Sequence, residues 1–233
     1  MAAVYCGKSA VTGFPRGPCA LYALTDSKVP GRDRQAAEHF MTPRILVLPG
    51  SNRTGSFNAS LAAAAAVELA QQGADVTRIS LVDYPLPIVD ENLKNESGIP
   101  ENAMKLAHLI AAHDGVFLCC PEYNSSIPPL LKNMIDWVSL ITRDGDKAFK
   151  PWAGRYVALG SASNGKLGGI RGLYHVRSVM VNVGTQVLSE QCAVSGAADA
   201  FEADGRLSDE RTNTMLVNTC KSLIRHCAMM SAG

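Results

Sequence analysis

The sequence predicts an α/β protein, a parallel sheet with helices on both faces. Three observations carry that reading. Short β-type segments alternate with segments of helical length from residue 44 to the C-terminal region. The run Gly115 to Cys120, GVFLCC, is apolar without a break, as a central parallel strand buried on both faces must be. The segments after the first, third and fourth strands are polar and marked by Gly or Pro, at the sheet edge where such folds bind ligands. The β-α alternation, repeated five times, requires right-handed crossovers.

Residues 1 to about 42 precede this pattern. They mix Gly, Pro, Arg, Asp and Lys without periodicity and are expected to be a disordered extension. Val4 to Ala10 is broken by Gly7 and Lys8, which argues against a signal peptide. Met41 stands just before the first strand. It is either a natural start or the end of a tail that docks on a partner subunit. Residues 43–230 form the expected domain.

The first strand is Ile45 to Pro49, a short branched apolar run. A helix is expected from Ser56 or Asn58 to about Gln72, with Leu61, Ala65 and Leu69 on one stripe and Gly73 closing it. Ala74 to Ser80 is the second strand. Val82 to Gly98 reads as a long loop, carrying Asp83-Tyr84-Pro85, Leu86-Pro87 and Asn95-Glu96. Pro100 sits where a first helical residue would. That helix runs to about His113 with Ala103, Ala107 and Ile110 inward. After GVFLCC and its loop, Pro128 and Pro129 open a helix over Leu130 to Ile141. Arg155 to Ser161 is the fourth strand, Ile170 to about Val183 a helix, and Thr185 to Ser189 the fifth strand. Ala193 to Gly205 reads as a surface connection. Ser208 is expected to cap the last helix, with Thr212, Met215, Thr219 and Leu223 on its inner face.

Composition narrows the function. A formal charge of +1 on 233 residues gives no reason to expect nucleic acid or an anionic membrane as partner. No apolar run has the length of a membrane-spanning helix. Seven cysteines, an odd number without CxxC spacing, read as free thiols in a reducing cytosol, so a cytoplasmic location is expected. His108, His113, His175 and His226 form no ligand-like cluster, so no metal is expected.

The stretch Arg44 to Asn58, RILVLPGSNRTGSFN, carries the first chemistry. A strand, a hydroxyl-rich turn and a helix N-terminus make an anion site, with Arg53 as a charged donor. Gly50 and Gly55 have P-loop spacing, but Ser56 and Phe57 stand where Lys and Ser/Thr are needed. Asn52 occupies the second glycine position of a dinucleotide fingerprint. A phosphate monoester is what remains. The loop Pro121-Glu122-Tyr123-Asn124-Ser125 adds backbone donors, an amide and an aromatic side chain, a set suited to a flat heteroaromatic ring.

LPGSNRTGSFN followed by PEYNSSIPPLLKNMIDW resembles the NADPH-dependent FMN reductase family, which includes chromate and quinone reductases. The match extends through GSASNGKLGGIRG and YHVRSVM, over about residues 44 to 190. The resemblance implies a flavodoxin-like three-layer sandwich with a five-stranded sheet in the order 2-1-3-4-5. It implies that Ser51, Arg53, Ser56 and Asn58 hold the FMN phosphate, with Phe57 contributing its backbone N–H. Pro121, Glu122, Tyr123, Asn124 and Ser125 would line the isoalloxazine, and Ser161 and Ser163 would close on its far edge. Hydride would pass from NADPH or NADH to FMN and then to a small acceptor: a quinone, chromate, an azo compound or free flavin. The family forms dimers or tetramers, with Tyr84 to Asn95 and the helix after Gly168 as interface pieces. The competing class is a flavin carrier for single electrons, which the neutral charge disfavours; a domain that binds no flavin is a third.

Other residues have plainer readings. Trp137 is expected in the core and Asp136 in a helix-to-loop contact. Glu122 is a lone carboxylate and is not assigned as a general base. Arg171 and Arg177 could contact a nicotinamide nucleotide's phosphates or pair with interface acids.

Overall fold

Strand β1 (Arg44–Pro49) lies near the middle of the sheet, and its side chains divide the protein into two cores. The structure is a computed structural model that describes residues 42–230. The expected N-terminal extension falls outside the described residues, Thr42 excepted. After β1 come α1 (Phe57–Gln71), β2 (Asp75–Arg78), α2 (Glu91–Ser97), α3 (Glu101–Ala112), β3 (Gly115–Cys119), α4 (Pro129–Ser139) and two short strands, β4 (Arg143–Asp144) and β5 (Lys147–Ala148). Then follow β6 (Tyr156–Ala162), α5 (Ile170–Asn182), β7 (Gln186–Val194) and α6 (Glu210–Met230). The main sheet is parallel with order β2-β1-β3-β6-β7. With the separate β4–β5 hairpin set aside, that is the expected 2-1-3-4-5.

Alternating strand residues feed opposite faces. Ile45, Val47, Phe117, Cys119 and Ala158 pack with α1 and α6. Leu46, Leu48, Val116, Leu118 and Leu159 pack with α3, α4 and α5. Cys119 and Cys120 fall on opposite faces, as their adjacency in a strand requires. Cys119, Cys120, Cys192 and Cys220 are free and buried, and Cys227 is buried. Burial pushes the Cys192 thiol up to about 12, and burial with the nearby Glu122 charge does the same to Cys120. These thiols are packing groups.

Several elements differ from expectation. The stretch 82–98 is not a bare loop. It includes a 3-10 turn, Leu81–Asp83, and the helix α2, whose N-cap Asp90 accepts from the N–H groups of Asn92 and Leu93 at 2.7 and 3.2 Å. The intervening chain is tied to α4. Asn133 accepts from the Val89 N–H (2.8 Å) and donates to the Pro87 carbonyl (2.8 Å), where Trp137 Nε1 also donates at 2.8 Å. Trp137 is buried as expected, but the helix-to-loop contacts belong to Asn133 and Trp137. Asp136 instead accepts from Lys132, one turn away.

Pro100 is the N-cap of α3, with extended backbone, and not its first helical residue. Strand β7 continues through Cys192 and Val194, because both bury against the α6 core despite the polar Glu190 and Gln191 between. Asp209, not Ser208, caps α6: its carboxylate accepts from the Thr212 N–H at 2.8 Å, while the Ser208 hydroxyl turns to the Ala200 carbonyl. The α6 inner face is Leu216, Thr219, Cys220, Leu223 and Cys227, with Thr212 and Met215 only half-buried.

Replacing Asn133 by Ala removes both bonds to the 87–89 segment. The expected result is a stability loss of about 1–2 kcal/mol and faster proteolysis near Pro87, read by denaturant titration and fragment mapping.

Candidate functional site

Register brings three loops to one edge. Pro49 is level with Cys119, and Cys119 with Gly160. The chain leaves β1 and β3 at the same height and β6 two residues later, all at the carboxyl end of the sheet. Gly50 N–H donates to the Cys119 carbonyl and Cys120 N–H to the Gly160 carbonyl, both at 2.8 Å, which extends the ladder to the loop mouths. A Cβ on Gly50 would stand 2.8 Å from Leu131 Cδ2, so α4 can approach this loop only at a glycine.

The β1–α1 loop leaves an uncapped helix end. Ser56 is the N-cap residue and is buried, but its side chain makes no capping bond. The first intrahelical bonds here run from the Ala59 and Ser60 N–H groups to the Ser56 carbonyl. The N–H groups of Phe57 and Asn58 therefore have no intrahelical acceptor. No acidic side chain stands in the first turn of α1. Arg53 lies over the Phe57 ring, 5.1 Å from its centroid, and donates to the Gly55 carbonyl at 3.0 Å. Phe57 thus supports the guanidinium as well as offering its N–H. Ser51 Oγ accepts from the Arg53 N–H at 3.3 Å.

Asn58 differs from its expected role. Its Nδ2 donates to the Ala162 carbonyl at 2.9 Å and its Oδ1 accepts from the Ala162 N–H at 3.1 Å. The side chain is buried and spent on joining α1 to the end of β6. Only its backbone N–H is left without an acceptor.

The β3–α4 loop is a tight two-residue turn. Tyr123 and Ser126 exchange backbone bonds at 3.0 and 2.9 Å. The corner residues Asn124 and Ser125 have φ of 48° and 64°, both left-handed. Asparagine tolerates that region, but serine is strained there. Their two N–H groups have no partner among the described residues. Tyr123 is 52% exposed beside them, and His175 Nδ1 lies 2.9 Å from Ser126 Oγ.

Glu122 also departs from expectation. Its carboxylate is 8% exposed and accepts from Arg171 Nε at 2.9 Å and from the Gly172 N–H at 3.1 Å. The N-cap of α5 is Gly169, which has no side chain, so Glu122 supplies the missing cap from another loop. Burial acts to raise this carboxyl's pKa, but the Arg171 and Gly172 bonds outweigh it and hold it below the usual range. Arg171 is therefore paired within the chain. Arg177 donates to the Leu188 carbonyl (2.6 Å) and Gln191 Oε1 (2.9 Å), an internal tie to β7.

The β6–α5 loop offers less than expected. Ser161 is fully buried and its hydroxyl is covered; a Cβ on Gly169 would lie only 1.9 Å from it. Ser163 Oγ accepts from the Gly165 N–H at 3.2 Å and shapes the turn. The structure thus brings Ser51, Arg53, Ser56, Phe57 and Asn58 together at the α1 end. Pro121, Tyr123, Asn124 and Ser125 form the neighbouring loop, while Ser161 lies beneath the surface. The Asn58 staple and the Glu122–Arg171 clamp join residues 104 and 49 positions apart, which no local signal marks. The left-handed Asn124-Ser125 corner was readable as a two-residue turn between Tyr123 and Ser126.

Residues 43–199 match the NADPH-dependent FMN reductase family. The chain belongs to that family. A quinone reductase of Escherichia coli K12 is 35% identical over 63% of this chain and 74% of its own length. An NAD(P)H-dependent FMN reductase of Pseudomonas aeruginosa is 31% identical over 77% of this chain and 92% of its own. FerB, a flavoenzyme NAD(P)H:(acceptor) oxidoreductase of Paracoccus denitrificans, superposes with a TM-score of 0.65 at 28% identity, covering 80% of this chain and 97% of FerB. The flavodoxin-like fold is shown, and the chain is an FMN-dependent NAD(P)H oxidoreductase. The carrier reading does not fit relatives that are named reductases.

The residues present suit FMN. Uncapped N–H groups, an arginine and the absence of first-turn acids match a phosphate dianion. Free turn N–H groups beside an exposed tyrosine match a ring with carbonyl edges.

The Glu122 clamp yields a pH signature. A depressed carboxyl stabilises the fold above its unfolded value and loses that effect as pH falls through its folded one. Arg171→Ala is expected to lower stability by about 1–2 kcal/mol at pH 7, with Arg171 half-exposed. The difference from wild type should shrink below about pH 4, the ordinary carboxylate range. Denaturant titrations of both proteins across pH check this.

Proposed function

We propose that this chain reduces small quinones with NADPH or NADH, using an FMN whose phosphate sits at the α1 N-terminus and whose ring lies beside the Tyr123 turn. The observation that carries the site is the α1 end: a buried N-cap serine that does not cap, two unpaired N–H groups and Arg53, with no carboxylate among them.

In this reading the N–H groups of Phe57 and Asn58 donate to phosphate oxygens, and Ser51 and Ser56 add hydroxyls. Arg53 neutralises the dianion while Phe57 keeps its guanidinium in place. The N–H groups of Asn124 and Ser125 orient the ring through its carbonyl edge, and Tyr123 flanks it and excludes water. Glu122 acts through the backbone: its clamp fixes the turn against α5. Bound FMN supplies the hydride and electron chemistry, so no side chain has to serve as nucleophile or metal ligand.

Quinone as acceptor rests on the reductases named above and on an NADPH:quinone oxidoreductase of Arabidopsis thaliana, 29% identical over 77% of this chain. A homodimer or homotetramer is part of the proposal, supported by the exposed Ile88 and Tyr174, 75% and 58% accessible. A cytoplasmic location is supported by the free thiols of Cys119, Cys120, Cys192 and Cys220; among the described residues no helix is long and apolar enough to cross a membrane.

The test is steady-state oxidation of NADPH by FMN-loaded protein with a water-soluble benzoquinone. Turnover is expected, and Arg53→Ala should weaken FMN binding by about 1–3 kcal/mol, the scale of a bond to a charged group. Unchanged FMN affinity would remove Arg53 from the phosphate site, and a protein without quinone-dependent turnover would refute the acceptor.

A further inference from the structure

We propose a second phosphate-monoester site on the outer side of the β1–α1 loop, built on Arg78, that receives the adenosine end of a 2′-phosphorylated nicotinamide dinucleotide and sets preference for NADPH over NADH. It rests on the co-substrate reading above.

A cavity of about 540 Å³ opens between the β1–α1 loop and the segment after β2. That is within the size range of small-molecule sites. Arg53, Ser51, Arg78, Ser80, Asp83 and Tyr84 are among its lining residues. Arg78 ends β2, level with Val47 of the neighbouring β1. It is exposed, and its guanidinium has no ion pair or hydrogen bond among the described residues. Every other arginine considered above is already engaged: Arg53 with Gly55 and the Phe57 ring, Arg171 with Glu122, Arg177 with β7.

The Ser80 hydroxyl is set for an anion: its Oγ accepts from the Val82 N–H at 3.3 Å. A hydroxyl used as acceptor keeps its O–H free to donate. With Arg53 given to the flavin phosphate, Arg78 is the lining cation left for a second anion. Asp83 is an acceptor suited to a ribose hydroxyl or an exocyclic amine, and the half-buried Tyr84 offers an aromatic surface for a base.

This cavity is not the flavin's phosphate position. Ser56, Phe57 and Asn58 do not line it, and neither does any residue of the Tyr123 turn. It adjoins that position through Ser51 and Arg53, and the nicotinamide end of the dinucleotide would extend from there to the ring.

The experiment titrates FMN-loaded protein with adenosine 2′,5′-bisphosphate and with adenosine 5′-monophosphate by calorimetry. Wild type should bind the bisphosphate at least about tenfold more tightly, the effect of one charge-assisted contact. Arg78→Gln should bring the two affinities together, lower the NADPH-to-NADH ratio of kcat/KM by a similar factor, and leave the FMN dissociation constant unchanged. Equal affinities in wild type, a ratio that survives Arg78→Gln, or release of FMN by the bisphosphate would each overturn the site. A protein that discriminates between the nucleotides but oxidises neither nicotinamide would keep this site and refute the enzymatic reading, so the two failures are separable.

Discussion

The two hydrogen bonds between Asn58 and the backbone of Ala162 are the constraint on which the site depends. They hold the first turn of α1 against the end of β6, across the strand that carries the ring-side loop. Both bonds are buried, so losing the amide would leave the Ala162 N–H and carbonyl unsatisfied in a dry environment, the costly case. The staple explains why a side chain that could bind phosphate is withheld from it. Geometry at the helix end is fixed before any ligand arrives, and a preorganised site gives up less entropy on binding.

The same economy runs through the neighbouring loops. Glu122 stands in the proposed ring-side loop, where a free carboxylate would add negative charge. Paired with Arg171 and capping α5 through Gly172, it becomes a neutral structural pair. The strain of Ser125 in the left-handed region is sustained by the backbone bonds of its turn and by the packing of Gly172 against Glu122 and Ser126. The N–H groups of Asn124 and Ser125 have no acceptor among the described residues.

Much of the fold was legible because its signals are local. GVFLCC could only be a doubly buried strand, the Leu61, Ala65 and Leu69 stripe marked α1, and prolines and glycines marked the three loop mouths. The position of the site followed from topology. What was not legible was the use of particular side chains. Asn58 and Glu122 read as ligands because their neighbours do, yet each has a distant partner. Ser161 looked like a loop hydroxyl, although β6 runs one residue past it and buries it. The helix α2 was hidden because the pairs Leu86-Pro87 and Asn95-Glu96 dominate that stretch, while the decisive feature is a single cap, Asp90. Arg78 was passed over because a lone arginine at a strand end carries no pattern; only the cavity shared with Arg53 gives it meaning.

In the proposed site the phosphate, not the ring, is the main source of flavin affinity. The most direct measurement compares apo-protein titrated with FMN and with riboflavin, which share the ring and differ in the phosphate. FMN should bind at least about 100-fold more tightly, the sum of charge-assisted contacts at the α1 end. Affinities within about twofold of each other would contradict the placement of the phosphate at Arg53 and the first turn of α1.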